Sequence, residues 1–383
     1  MKKNILSLLF LCLFLNTVKA QVIYKPIESL KMGEIRELKI QLPRGYNDNP
    51  NKKYPLFVVF DGDYMFEAVA GNVDYYSYWE DMPNAIVVGV NQLDKRFEDS
   101  MYSEQNGLPT ETGARFFEFI GMELIPFMEK NYRTAYFKVA VGHGETANFI
   151  NYFLLKDQPV FQAYVVISPE LAPKTIDYVP ERLSTLASKS FYYLATTKKD
   201  SKEILDDAEK LHGRMSGVDN KNLVYKYDAF NEPSHYSLPA HVMPRALESI
   251  FNVYQPISVS EYRDVILKLE GSPVVYLEEK YKMIYDLFGI EKDILVNDFK
   301  AIAAAIEKTE QFEYYEQLGK MGRKSYPNTI LGNYYIGRFY EQTGNPKKAM
   351  RTYQSAFILS EIGGITKDEL MNRANAIKTD FGY

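Results

Sequence analysis

Apolar positions follow two different patterns along the chain, which divide it into two regions. Up to about Tyr254, short apolar runs alternate with stretches of helical spacing. The runs Leu56–Phe60 and Ala85–Val90 are continuously apolar, which is typical of strands buried on both faces. Further strand-like segments occur at 35–42, 137–141, 161–168, 191–196 and 223–227. This alternation predicts an α/β fold, a mostly parallel sheet covered on both faces by helices, with functional residues at the carboxyl ends of its strands.

After Pro256 the strand pattern stops, and residues 258–381 have helical spacing almost throughout. We therefore predict an α/β domain at 21–255 and an all-helical domain at 256–383. Small and aromatic residues recur there at offsets 0, 3, 7, 12, 16 and 19: Gly337, Tyr340, Gly344, Ala349, Tyr353 and Ala356. This spacing resembles a tetratricopeptide repeat, in which each repeat is one helix hairpin. Two interpretations stay open, a structural cap or a groove that binds a protein partner.

The first twenty residues have the features of a secretory signal peptide. Lys2 and Lys3 precede an apolar run at 5–15, and Val18 and Ala20 supply the small residues of a cleavage site. Cleavage near Ala20 predicts an exported protein, either periplasmic or secreted. The alternative is a short N-terminal anchor helix, although the apolar run is too short to span a membrane. No second apolar stretch is long enough to cross a bilayer.

Composition excludes several classes of function. The only cysteine, Cys12, lies in the predicted signal peptide, so the mature chain has no disulfide, thiolate metal site or cysteine nucleophile. The formal charge of the full chain is −5, which provides no basic excess for binding nucleic acid. The sequence contains neither an H-E-x-x-H motif nor a G-x-G-x-x-G motif after its first strands. We therefore predict no metal and no cofactor.

The segment Val139–Ile150 has the pattern of a strand, a tight turn and a helix, and its turn reads Gly142-His143-Gly144-Glu145-Thr146. At such a turn an α/β-hydrolase carries G-x-S-x-G, with the serine nucleophile on a strained elbow. Two glycines in such a turn are weak evidence alone, so the surrounding segments decide the interpretation.

These surrounding segments resemble the esterase D family of α/β-hydrolases, in the family's order, over about residues 26–254. Five segments carry the resemblance. Tyr54–Phe66 resembles the oxyanion loop, Met82–Val90 with Arg96 and Asp99 resembles the next strand with its charged loop, and Phe119–Thr134 resembles the helix before the elbow. Ser168–Glu170 resembles the strand end after the elbow, and Asn231–Pro239 resembles the histidine loop. The resemblance implies an α/β-hydrolase fold and an ester-hydrolase site.

The resemblance also implies a base and an acid. His235 takes the place of the general base, with a surface or capping histidine as the alternative. Asp200 lies where the family keeps the acid that orients the histidine, with a solvated acid at a helix start as the alternative. Three further acidic residues are nearby: Glu203, Asp206 and Asp207.

The oxyanion hole carries over, but the nucleophile does not. The backbone N–H groups of Asp63 and Glu145 would be the oxyanion donors. The nucleophile position is Gly144, which has no side chain to attack a carbonyl. The first hypothesis is therefore a pseudo-esterase that acts as a binding or scaffold protein for an ester or carbohydrate-like ligand. The second is an active esterase for acyl, feruloyl, siderophore or sugar esters, which uses His235 and an unrecognised nucleophile.

Overall fold

The computed structural model of the protein describes residues 22–383. The predicted signal peptide at 1–20 lies outside these residues. No helix among them is both long enough and apolar enough to cross a membrane.

Eight strands form one sheet in the order β1-β2-β4-β3-β5-β6-β7-β8. Their bounds are β1 Val22–Ser29, β2 Glu34–Gln41, β3 Tyr54–Val59, β4 Ile86–Val90, β5 Thr134–His143, β6 Ala163–Ile167, β7 Ser190–Thr197 and β8 Leu223–Phe230. Strand β2 pairs antiparallel with both β1 and β4, and all other pairs are parallel. The predicted mostly parallel sheet is therefore confirmed.

The central strands are buried as their continuous apolar runs predict. Every residue of β3, β4 and β6 is buried, because helices cover both faces of the sheet. The alternation expected near β2 holds only in part, since its last four residues, Leu38–Gln41, are all buried. The polar ones among them, Lys39 and Gln41, have partners, respectively the Glu67 carboxylate and a main-chain carbonyl.

Fifteen α-helices lie in the described residues. In the first part of the chain they are α1 Phe66–Tyr78, α2 Arg96–Asp99, α3 Glu111–Phe119, α4 Ile125–Asn131, α5 Glu145–Phe149, α6 Thr175–Thr185, α7 Lys202–Met215 and α8 Leu238–Ile250. The rest are α9 Val259–Asp264, α10 Pro273–Phe288, α11 Val296–Thr309, α12 Tyr314–Ser325, α13 Leu331–Gln342, α14 Pro346–Ser355 and α15 Lys367–Phe381. A π-helical turn, Ile120–Leu124, joins α3 to α4. Short 3-10 helices lie at 93–95, 150–155, 235–237, 252–254, 266–268 and 356–358.

The chain separates into two compact units. The first extends to Tyr75 and includes Asn84–Thr134 and Lys138–Ala246; the second comprises Tyr76–Pro83, Ala135–Phe137 and Leu247–Tyr383. The first unit holds the sheet core, whose largest buried side chains include Phe57, Phe60 and Tyr164. The predicted boundary at 255/256 stays a prediction.

Helices α11 to α15 of the second unit share one apolar core. Helices α13 and α14 form the hairpin that the small and aromatic spacing predicts. A Cβ on Gly337 would lie 2.1 Å from Cε1 of Tyr353, so only glycine permits this close approach of the two helices. Helices α11 and α12, which precede this hairpin in the chain, form a second helix pair. The resemblance to a tetratricopeptide repeat remains a prediction.

Candidate active site

The predicted site residues follow the carboxyl ends of four parallel strands of the sheet. Asp63 comes after β3, Gly144 after β5 and Asp200 after β7, while His235 opens the short helix that follows β8. Because parallel strands end at one edge of a sheet, these four residues belong to the same edge.

The turn after β5 has the geometry of a strained elbow. Gly144 has φ 61° and ψ −119°, a conformation that side chains rarely adopt. Its N–H donates to the carbonyl of Ile167, and its carbonyl accepts from the N–H of Glu170. Helix α5 returns so closely that a Cβ on Gly142 would lie 2.6 Å from the Thr146 carbonyl oxygen. Both glycines therefore have steric or conformational reasons to be there.

His235 and Asp200 are in direct contact. The distance between His235 Nδ1 and Asp200 Oδ1 is 2.7 Å. The other carboxylate oxygen of Asp200 accepts from the Ser168 hydroxyl at 2.6 Å and from the Thr197 N–H at 3.0 Å. Burial raises the pKa of Asp200, but its hydrogen bonds from His235, Ser168 and Thr197 outweigh this and hold the pKa below its usual value.

This contact places the acid and the base of the predicted site together. The Asp200 side chain is fully buried, so it is not the solvated helix-start acid that was the alternative. The His235 side chain is 21% exposed. Its Nδ1 is occupied by Asp200, which leaves Nε2 as the ring nitrogen for a second partner.

His143 packs beside this pair. Its ring centroid lies 4.3 Å from that of His235, and its Nδ1 lies 3.0 Å from the Tyr64 hydroxyl. Burial, together with the nearby His235 and Arg96, lowers the pKa of His143 to about 3, so its ring is neutral at ordinary pH. His143 is thus a buried, neutral ring that packs against His235 at the elbow.

Arg96 connects the strand ends across the elbow. Its Nε donates to Asp61 Oδ1 at 2.7 Å, its Nη1 to Glu145 Oε2 at 2.9 Å, and its Nη2 to the carbonyl of His143 at 2.7 Å. Asp61 is fully buried and also accepts from the Thr146 hydroxyl at 2.6 Å. Burial raises the pKa of Asp61, although the Arg96 charge opposes the rise. Arg96 therefore neutralises a buried carboxylate and fixes the turn.

The space above Gly144 is narrow. A Cβ built on it would lie 3.0 Å from Arg96 Nη2 and 3.1 Å from Glu170 Oε1. These distances are shorter than most real Cβ contacts, so a side chain at position 144 requires one neighbour to move by a few tenths of an ångström. The Arg96 guanidinium and the Glu170 carboxylate thus flank the position that the Cβ of a serine at residue 144 would occupy.

The two predicted oxyanion donors have free main-chain N–H groups. Within the described chain, neither the Asp63 N–H nor the Glu145 N–H has a hydrogen-bond partner. Both side chains are held nonetheless. Asp63 Oδ2 accepts from the Leu93 N–H at 2.8 Å, and Glu145 pairs with Arg96.

Four residues of this site were not singled out as site residues by sequence reasoning: Asp61, Tyr64, Ser168 and Glu170. Two of them have positive φ without being glycine, Asp61 at 54° and Ser168 at 42°. Such strain concentrates at functional sites. The available signal was that Asp61 directly follows the strand run 56–60 and that Ser168 ends the strand run 161–168. Among residues 22–383, no group of histidine and carboxylate side chains has an arrangement that could hold a metal ion.

The chain is similar to known proteins in both sequence and fold. Residues 29–216 match a family model described as "Putative esterase". The fold is that of an esterase-like α/β-hydrolase. A crystal structure of an uncharacterised protein from Capnocytophaga ochracea DSM 7271 superposes with a TM-score of 0.85 at 29% identity, covering 94% of this chain and 100% of that chain.

Two further solved structures share this esterase-like fold at lower identity. An IroE-like serine hydrolase from Shewanella oneidensis has a TM-score of 0.60 and 21% identity, covering 78% of this chain and 98% of that chain. The siderophore hydrolase EstA from Aspergillus nidulans has a TM-score of 0.52 and 14% identity, covering 63% and 97%. No curated protein matches the chain. The α/β-hydrolase fold predicted from the sequence is therefore confirmed.

Proposed function

We propose that this protein is a pseudo-esterase, which binds a ligand at an esterase-like site without hydrolysing it. The observation that carries the proposal is Gly144 at the elbow, where a serine hydrolase needs its nucleophile. In a characterised serine hydrolase, loss of the serine lowers kcat about a millionfold. We also propose that the chain is of the esterase D type and is exported after cleavage near Ala20.

The remaining site supports ligand binding. The free N–H groups of Asp63 and Glu145 are suited to hold a carbonyl or another oxygen acceptor. His235 is partly exposed and oriented by Asp200, so it offers a further polar contact. Each of these groups keeps its function in binding when the nucleophile is missing, because none of them needs a covalent intermediate.

The helical residues 256–383 form the second proposed element. The hairpin α13–α14 supports a tetratricopeptide-like domain, and stacked helix hairpins present surfaces on which protein partners bind. A role as a scaffold, with a protein partner on this tail, fits a protein that no longer needs turnover.

A second candidate function is an active carboxylic-ester hydrolase with another nucleophile. The 2.7 Å contact between His235 and Asp200 favours it, because this pair is what a triad needs to activate a hydroxyl. Against it, the structure gives position 144 no side chain and surrounds it with Arg96 and Glu170.

The test is hydrolysis of a short-chain aryl ester by the wild type, Gly144→Ala and Gly144→Ser. We expect no turnover by the wild type or by Gly144→Ala, which adds the same Cβ without a nucleophile. If acid, base and oxyanion donors are intact, Gly144→Ser hydrolyses the ester at least about 100-fold faster than Gly144→Ala. Turnover by the wild type that His235→Ala abolishes would refute the pseudo-esterase and establish the active enzyme.

A further inference from the structure

A second cavity in the first unit lies apart from the site around Gly144. It has a volume of about 900 Å³ and is lined by the π-helical turn Ile120–Leu124, the end of α3 and the short helix at 150–155. None of the residues that form the site around Gly144 lines it. Most of its lining is apolar, as is typical of cavities that bind small molecules. We call it the apolar cavity.

Several large apolar side chains of the apolar cavity are open to solvent. Leu108 is 41%, Met122 61% and Leu155 38% exposed. The half-buried Phe117 ring stacks on the buried Phe153 ring, with centroids 4.4 Å apart. Single exposed apolar residues are common on protein surfaces, but several gathered around one cavity indicate a binding surface.

Gly121 in the π-helical turn keeps the apolar cavity open. Outside its own helix, a Cβ on Gly121 would meet only Cε1 of Phe153, at an ordinary contact distance of 3.9 Å. Its backbone is helical, so neither crowding nor conformation requires a glycine. Glycine in a helical turn is less stable than alanine, and π-helical turns occur frequently at functional sites. A ligand that occupies the space next to residue 121 explains why a side chain is absent there.

One unpaired cation lies on the aromatic wall of the apolar cavity. The Nζ of Lys156 is 5.2 Å from the centroid of the Phe117 ring, and no other lysine or arginine lines the cavity. Lys156 forms no ion pair within the described residues, whereas the lining carboxylate Glu118 is paired with Lys31 at 2.8 Å. The second lining carboxylate, Asp157, is exposed and opposes an anion. Because the ammonium lies over the Phe117 ring, it is next to any apolar chain that covers this ring.

We propose that the apolar cavity binds a fatty acid, an alkyl chain with a carboxylate head group. The chain covers Phe117, Met122 and Leu155 and enters the space beside Gly121, while the carboxylate accepts hydrogen bonds from the Lys156 ammonium. Burial of the chain supplies most of the affinity, and the charge selects the head group. This function is independent of the pseudo-esterase, because the two sites share no residue.

The experiment is calorimetric titration of the purified protein with dodecanoate and, separately, with dodecyltrimethylammonium, at low salt and below their micelle concentrations. We expect a single dodecanoate site, with at least about fivefold tighter binding than that of the cationic chain. Lys156→Gln should weaken dodecanoate binding about three- to fivefold, and Asp157→Asn should strengthen it. The matched control is Lys130→Gln, which removes an exposed lysine of α4 that does not line the cavity and should stay within about twofold of wild type.

Gly121→Leu tests the cavity itself, because the new side chain occupies the space beside Phe153. It should weaken the binding of both ligands at least about tenfold. The matched control Gly213→Leu adds the same side chain on exposed helix α7, where a Cβ meets no atom within 4 Å, and should bind as the wild type does. Circular dichroism checks that both variants are folded.

Three results would overturn the proposal: equal affinity of the wild type for the two ligands, unchanged dodecanoate binding by folded Gly121→Leu, or no heat of binding up to millimolar dodecanoate. If Gly121→Leu does not fold, the comparison of the two head groups on the wild type still decides. Neither ligand is an ester, so these results do not depend on whether the site around Gly144 hydrolyses esters.

Discussion

Replacing Gly144 with alanine tests the geometry of the elbow by stability alone. The native φ of 61° is strained for any residue with a Cβ, which costs about 1–3 kcal/mol. The new Cβ also meets Arg96 Nη2 at 3.0 Å and Glu170 Oε1 at 3.1 Å. Loss of glycine restricts the unfolded chain and returns about 0.4–1 kcal/mol. We therefore expect Gly144→Ala to lower the free energy of unfolding by about 1–2 kcal/mol.

The matched control is Gly213→Ala, because Gly213 lies within helix α7 and a Cβ there meets no atom within 4 Å. Alanine is favoured over glycine in a helix by about 0.5–1 kcal/mol, so this variant should be more stable than wild type. Urea unfolding followed by circular dichroism measures both changes. An unfolding free energy for Gly144→Ala equal to or above that of wild type would refute the strained elbow and the narrow space above it.

Three other substitutions test the groups around the elbow. The pKa of His143 is lowered to about 3, so between pH 6.5 and 3 the unfolded chain takes up a proton that the native chain does not. The free energy of unfolding should therefore decrease as the pH is lowered through this range, by up to about 1.4 kcal/mol per pH unit. Urea titrations should show a shallower decrease in His143→Gln, but not in the control His241→Gln, whose histidine is exposed. Asp200→Asn should lower the unfolding free energy by about 1–3 kcal/mol, because it weakens the hydrogen bonds of a buried carboxylate. The ¹⁵N spectrum of His235 should also show a changed balance between its two tautomers, and an unchanged spectrum would contradict the contact. Arg96→Met leaves a buried carboxylate unpaired and should cost about 3–5 kcal/mol in thermal or urea unfolding, whereas Arg263→Met, which breaks an exposed pair, should cost less than about 1 kcal/mol.

Local pattern predicted the sheet and the helical tail because burial determines hydrophobic spacing directly. The runs at 56–60 and 85–90 lie in or around β3 and β4, and helices α9 to α15 occupy the region without strands. The pattern predicted β2 less well. Its polar residues are buried against partners from other elements, as Lys39 is against Glu67, and no local pattern contains such partners.

The site shows the same division between local and distant information. The elbow could be predicted because Gly142 and Gly144 lie only two positions apart in the same turn. The choice of Asp200 among four nearby acids came from resemblance. The structure brings Asp200 to 2.7 Å from His235, while Glu203 and Asp207 line a separate cavity. Contacts between residues more than thirty positions apart depend on strand order, which the sequence pattern does not specify.

The presence of an acid–base pair is not in itself evidence of catalysis here. Asp200 accepts hydrogen bonds from Ser168 and from the Thr197 N–H as well as from His235, so the carboxylate also ties β6 and β7 to the loop after β8. A buried carboxylate with three donors stabilises this edge of the sheet whether or not an ester is ever cleaved. The two roles predict different results for His235→Ala. A structural role changes the unfolding free energy of the wild-type protein, whereas a catalytic role changes the hydrolysis rate of Gly144→Ser.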